Sequence, residues 1–464
     1  MLTYDLDRRG KLARYDYLYR CIREDILAGR LTAGEKLPSK RSLASHLQTA
    51  VITVQNAYAQ LEAEGYLYTR EKRGYYVADV ERHPAAPGRA PARSAPQPQR
   101  SWLLDLSSGG SGTEDFPFSV WAKLMRRVLS EEGEALLRAT PPNGADALRR
   151  AIAQHLYRFR GISAAPEQIV VGAGTEYLYN LIVQLLGREA VYGVEDPGYS
   201  KAARIYALGG ARTAPVLVDE GGVSLRSLEM SGAQILHTSP NHQFPTGAVT
   251  PIGRRQSLLR WAEAREGRYI IEDDYDSEFR FVGRPIPTLF SIDGGEQVVY
   301  LNTFSKTIAP SIRISFMVLP RRLLADFRQK LGFYACTVSA FEQYTLAQFL
   351  SGGWYEKHLS RMRKHYRQKR DAVIAALRQS PLSPHAAIAE EDAGLHFLLR
   401  LDGAPPDDVL RRAAEKRGIR LAMLSDYYQC PREAPQHVLV VNYTGIDTEK
   451  LPTALARLAE LWPS

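Results

Sequence analysis

Apolar side chains recur every four residues at Leu18, Ile22 and Ile26, a spacing that lines one face of an α-helix, which Gly29 closes. Ser39 suits the N-cap of a second, short helix with Leu43 and Leu47 on its inner face. A third helix, roughly 51–64, turns Val54, Tyr58 and Leu61 into the same core and leaves Thr53, Gln55 and Asn56 on its other faces. From Gly65 to Val77 the pattern shortens to two strands joined by a basic turn containing Lys72, Arg73 and Gly74.

After residue 101 the pattern changes. Helical stretches (148–159, 176–186) alternate with short apolar runs at 168–171, 234–237, 268–272 and 297–301. Short buried strands spaced by helices predict an α/β body with a large, mostly parallel sheet covered on both faces. A further alternation over 395–401, 409–417 and 438–441 predicts a smaller α/β lobe. Between the two patterns, residues 79–101 hold five prolines from Pro84 to Pro98 among Ala, Arg and Gln, a composition that packs no core and reads as an extended spacer. The expected organisation is therefore a 1–78 domain, a 79–101 linker and a 102–464 body.

Charge sharpens this division. Of a formal net charge of +9, residues 1–100 carry +6 and the remaining 364 only +3, as expected of a small polyanion-binding module on a balanced body. Cys21, Cys336 and Cys430 show no metal or redox spacing. The start has no apolar run of a signal peptide and no stretch reaches membrane-spanning length, so a cytoplasmic protein without membrane association is expected.

Three helices and a basic hairpin make a winged helix-turn-helix, whose third helix can enter the major groove while the wing reaches phosphate or the minor groove. The residues Leu37-Pro-Ser-Lys-Arg41, Thr53-Val54, Leu61-Glu-Ala-Glu-Gly65 and Arg73-Gly74 resemble the DNA-binding domain of the GntR family. The resemblance implies a double-stranded DNA operator as partner and Arg41, Thr53, Gln55, Lys72 and Arg73 as its contacts. Ala50-Val51 stands where that family has Ser-Arg, which removes one phosphate contact and points to apolar contact with thymine methyls.

In the body, Asn302 to Met317 places Lys306 among hydroxyls in apolar surroundings, with Arg313 seven residues on. A buried lysine sheds its proton and becomes a nucleophile able to form a Schiff base with an aldehyde cofactor such as pyridoxal phosphate (PLP). Thr303 and Ser305 can donate to a phosphate and Arg313 can clamp it. Taken alone, the motif also fits an exposed lysine in a turn between two strands. Gly172-Ala-Gly174-Thr175 runs from a strand into a helix, a natural phosphate site, though such turns are also common without a ligand. Tyr199, after Pro-Gly, can stack on a flat ring. The 269–279 segment sets Asp273 at a strand's carboxyl end, where an acid can pair with a pyridinium nitrogen, and Tyr275 can bond a phenolic oxygen. Its four acids in seven residues are also compatible with a divalent metal.

In this order the segments resemble the fold-type-I aminotransferases over nearly all of residues 102–464. The resemblance implies PLP on Lys306, with no metal. Asp273 would then meet the ring nitrogen, Tyr275 the phenolic oxygen and Tyr199 the ring face. Gly174, Thr175, Thr303, Ser305 and Arg313 would hold the phosphate. Phe244 stands where many aminotransferases have an asparagine, with Asn241, His242 and Gln243 as possible substitutes, and Arg420, Arg432 and Lys201 are the candidate anchors for a carboxylate. A GntR-like winged helix, a spacer and this body together resemble the MocR family of bacterial regulators, on Pro240-Asn-His-Gln-Phe-Pro-Thr-Gly247, 271–279 and 303–306. That family implies a homodimeric, PLP-dependent transcriptional regulator whose aminotransferase-like domain senses an amine or amino-acid effector, or PLP itself. Such a body is expected to sense rather than turn over, although its lysine and acid permit weak half-transamination. The rival is a catalytically active aminotransferase with an accessory DNA-binding module.

Overall fold

A computed structural model describes residues 2–80, 101–107, 116–281, 286–293, 296–392 and 394–462, apart from the Arg432 side chain. It divides into two units, Met1–Pro98 and Gln99–Ser464. Of the proline-rich segment only residues 79, 80 and 101 are described; 81–100 lie outside the described residues.

The first unit holds helices Arg14–Leu27, Lys40–His46 and Val51–Ala63, then antiparallel strands Leu67–Arg70 and Gly74–Val77. Leu18, Ile22, Leu43, Val54, Tyr58 and Leu61 are fully buried in one cluster, as their spacing requires. Ser39 caps the second helix, its hydroxyl accepting from the Ser42 N–H at 3.2 Å. Lys72, in the tight turn between the strands, adopts a left-handed φ of 57°.

The second unit is built on an eight-stranded sheet. Its parallel centre comprises, in spatial order, Val298–Thr303, Tyr269–Asp273, Ile235–Thr238, Val191–Asp196 and Arg212–Asp219. Ser315–Val318 lies antiparallel between Val298–Thr303 and the edge strand Ile169–Gly172, and the short Gly222–Val223 closes the other edge. The central strands are buried almost throughout, because helices such as Thr175–Leu186 and Ile252–Glu263 cover the sheet. A smaller lobe pairs His396–Leu401 with Ala386–Ala389 and Val438–Asn442, against helix Asp407–Lys416. No helix among the described residues is long and apolar enough to cross a membrane.

Glu272, wholly buried beside Asp273, accepts the Leu289 and Phe290 N–H groups at 2.8 and 2.9 Å. Burial, with Asp274 adding to it, pushes its carboxyl up to about 7. The folded state then holds a proton that the unfolded chain has released, so this group's contribution declines as pH rises from the unfolded carboxyl's range to about 7. The shift corresponds to about 3 kcal/mol. Comparing unfolding of the Glu272→Gln variant and the parent at about pH 5 and pH 8 should show a shallower pH dependence in the variant.

Candidate cofactor site and nucleic-acid interface

The carboxyl ends of four adjacent parallel strands converge on one cavity of about 470 Å³. The turn after Val298–Thr303 supplies Lys306, Tyr269–Asp273 supplies Asp273 and Tyr275, Ile235–Thr238 supplies His237, and the turn after Val191–Asp196 supplies Tyr199. A second cavity of about 220 Å³ shares Thr175, Tyr199, Thr303 and Lys306 and adds Ser305 and Arg313. Of the nine cofactor-site residues expected from sequence, eight line these two cavities. The ninth, Gly174, is the N-cap of helix Thr175–Leu186.

Lys306 does sit in a turn between strands, but half-buried. Burial holds its ammonium form below the usual lysine range, Lys201 pushes the same way and Asp276 opposes them. Asp273 is buried, and its two oxygens differ. Oδ2 accepts from the Tyr179 hydroxyl and lies 3.4 Å from His237 Nε2. His237 Nδ1 in turn lies 2.6 Å from the Tyr206 hydroxyl. Oδ1 is buried without a partner. A buried carboxylate oxygen with no donor is costly, and this one belongs to a residue on the cavity wall.

At the other end, Gly174 has φ 93°, and a Cβ there would run into the Arg313 guanidinium. No side chain caps this helix, which leaves its first N–H groups free to meet an anion. Ser305 Oγ is buried and unpartnered, while the Thr303 hydroxyl accepts from Ser315 Oγ at 2.7 Å. Arg313 is less free than its sequence suggested: it pairs with Glu176 at 3.0 Å, and Lys201 approaches the same carboxylate at 3.5 Å.

These groups fit PLP: an amine whose charged form burial disfavours, an unpaired acceptor for a ring nitrogen, a wide cavity for the ring, and hydroxyls beside a free helix N-terminus for the phosphate. Other expectations fare differently. Phe244 faces the large cavity, whereas its three candidate substitutes are engaged elsewhere: Asn241 with Asp274, Gln243 with Glu195, and His242 with Asp276 and Tyr275. Arg420 lies 3.6 Å from Asp105, half-exposed, and lines neither cavity, so it is no carboxylate anchor in this arrangement. Arg432's side chain lies outside the described residues. Sequence reasoning missed Tyr179, His237 and Tyr206 behind Asp273, and His396 and Asn442 from the small lobe. The sequence signal for His237 is an imidazole directly after Ile235 and Leu236 in a short buried strand.

On the first unit, Arg41, Gln55, Lys72 and Arg73 are exposed and Thr53 is half-buried. Val51 and Ile52 are 42% and 57% exposed at the start of the third helix, an apolar tip where a nucleic-acid reader would meet bases. If Arg73 contacts phosphate, Arg73→Ala should weaken binding of all DNA sequences alike and reduce the slope of log affinity against log salt by about 1. Ile52→Ala should instead act selectively at one position. Fluorescence anisotropy across a salt series on operator and scrambled duplexes reads both.

Residues 103–458 match the family described as aminotransferase class I and II, and residues 14–77 match the bacterial regulatory proteins of the gntR family. The chain is 36% identical to the uncharacterized HTH-type transcriptional regulator YdeL of Bacillus subtilis (strain 168), over 99% of each chain. It is 34% identical to the probable rhizopine catabolism regulatory protein MocR of Rhizobium meliloti, over 96% of this chain and 93% of the relative. Among solved structures, the α-aminoadipate aminotransferase LysN of Thermus thermophilus, complexed with N-(5'-phosphopyridoxyl)-L-leucine, aligns with a TM-score of 0.66 at 26% identity. That alignment covers 77% of this chain and 91% of LysN. Fold and site thus define a winged-helix transcriptional regulator joined to a fold-type-I, PLP-binding aminotransferase body. The chain belongs to the MocR-type regulators.

Proposed function

We propose that this regulator couples DNA binding to the state of the cavity at Lys306, which reports the supply of PLP or of an amine that competes for it. The observation that carries this reading is the unpaired Asp273 Oδ1 on the wall of the cavity that also holds Lys306. Bound there, PLP supplies an aldehyde carbon for which Lys306 and an effector amine compete, and a ring that draws electrons from that carbon. Asp273 would keep a proton on the ring nitrogen, Tyr275 would meet the phenolic oxygen and Tyr199 would cover the ring. Gly174, Thr175, Thr303, Ser305 and Arg313 would hold the phosphate, Arg313 after giving up Glu176.

The small lobe contributes Leu395, His396, Tyr427, Tyr428 and Asn442 to the walls, and among its described residues no lysine or arginine lines either cavity. Lys201 and Arg204 of the large lobe line the cavities instead, so a carboxylate effector would be anchored from that side. Ligand that binds one lobe arrangement better shifts the population towards it, and the DNA-binding heads follow. A cytoplasmic homodimer, with two winged helices on two half-sites, completes the proposal. Operator affinity of the PLP-free and PLP-loaded protein, measured with and without a panel of amines and amino acids, tests it. Equal affinity under all conditions would refute the coupling. Steady conversion of an amino donor and a keto acid at ordinary enzyme rates of about 1 per second or more would favour a working aminotransferase instead.

A further inference from the structure

His242 lies outside both large cavities, yet it is tied to one of their walls. Its Nδ1 is 3.0 and 3.1 Å from the two oxygens of Asp276, which is 1% exposed, and 3.0 Å from the Tyr275 hydroxyl. A carboxylate only accepts hydrogen bonds, so Nδ1 must carry the proton. The Tyr275 oxygen accepts from that N–H, which leaves its own hydrogen to Asp276 or, with a cofactor bound, to the cavity. His242 Nε2 faces the opposite way, buried without a partner, onto a small polar cavity of about 10 Å³ among Arg160, Asn241, Ser277 and Arg280.

The dyad also holds the small lobe. The Leu395 N–H donates to Asp276 Oδ2 at 3.3 Å, and Gly394 presses so closely on the imidazole that a Cβ there would overlap it. His396 packs its ring 4.7 Å from that of His242, and burial pushes its pKa well below the usual histidine range.

We propose that His242, oriented by Asp276, is a positioning residue that presents the Tyr275 hydroxyl as a donor to the cofactor's phenolic oxygen and joins that contact to the first strand residues of the small lobe. This rests on PLP occupying the Lys306 cavity. His242→Gln keeps polarity and similar bulk but has no donor where Nδ1 stands, whereas the amide nitrogen of His242→Asn takes the Nδ1 position.

The test is PLP affinity by equilibrium titration, together with the visible absorption spectrum of the loaded protein, for wild type, both variants, Tyr275→Phe and Tyr275→Phe/His242→Gln. The expected result is about tenfold weaker binding and an altered spectrum for His242→Gln, the loss of roughly one hydrogen bond. His242→Asn should recover both readouts, and His242→Gln should add nothing in the Tyr275→Phe background. Additive losses, or an Asn variant as impaired as Gln, would overturn the proposal. So would stoichiometric metal in the purified protein, since donor atoms of His242, Asp276 and His396 lie within 4.8 Å of one another. Wild-type protein that takes up no PLP would sink the cofactor reading and this one with it; normal loading with an unaffected His242→Gln variant would sink this one alone.

Discussion

Lys306→Ala protein is expected to lose the borohydride-reducible link to PLP completely while keeping its fold. At pH 7 roughly one free lysine in 2,500 is neutral, far too few for ready attack on an aldehyde. Burial of Lys306 raises that share by lowering its ammonium pKa. Truncating a half-buried side chain whose main electrostatic effect is a desolvation penalty should change stability by little, within about 1 kcal/mol. Reduction followed by peptide mapping checks the prediction, with a single pyridoxylated peptide spanning residue 306 in the parent and none in the variant. The operator response to PLP should vanish in step. An adduct on another lysine, or a full response without residue 306, would refute the assigned role.

Local chemistry of this kind was legible in the sequence because it is carried by residues close together in the chain. Lys306 and its hydroxyls occupy four consecutive positions, Asp273 and Tyr275 lie two apart, and the winged helix declares itself by spacing within about 65 residues. What stayed hidden is what the sheet assembles across strands. Tyr179 reaches Asp273 over 94 positions, and Glu176 reaches Arg313 over 137. No periodicity marks either pair. The pairing of Arg313 with Glu176 also shows why a residue type in a motif does not fix its partner: a guanidinium expected to meet phosphate is held by a carboxylate in the first turn of helix Thr175–Leu186. Phe244 was recognised as a departure, but only the cavity shows that it forms a wall there, its ring 5.0 Å from that of Tyr427. The apolar runs that predict strands of the main sheet end within about two residues of the observed limits, whereas Val191–Asp196, Arg212–Asp219 and Ser315–Val318 are strands that the pattern does not predict.

Asp273→Asn tests the other half of the site, and it changes charge without changing shape. The Tyr179 hydroxyl donates to this residue, so the amide oxygen of asparagine must stay on that side, which turns its NH₂ to the cavity. A ring nitrogen would then meet a donor where the aspartate offers an unpaired acceptor. Loss of a hydrogen bond to a charged group is worth about 1.5–3 kcal/mol, so PLP should bind roughly 10- to 150-fold more weakly. The spectrum should also move towards that of a ring without its nitrogen proton. Tyr179→Phe serves as the contrasting variant: it removes a neutral partner of Oδ2 but leaves the charge facing the cavity, and should cost about tenfold or less. Equilibrium dialysis against PLP ranks the three proteins. If Asp273→Asn binds PLP as tightly as the parent while Tyr179→Phe does not, the carboxylate serves the tyrosine and not the ring.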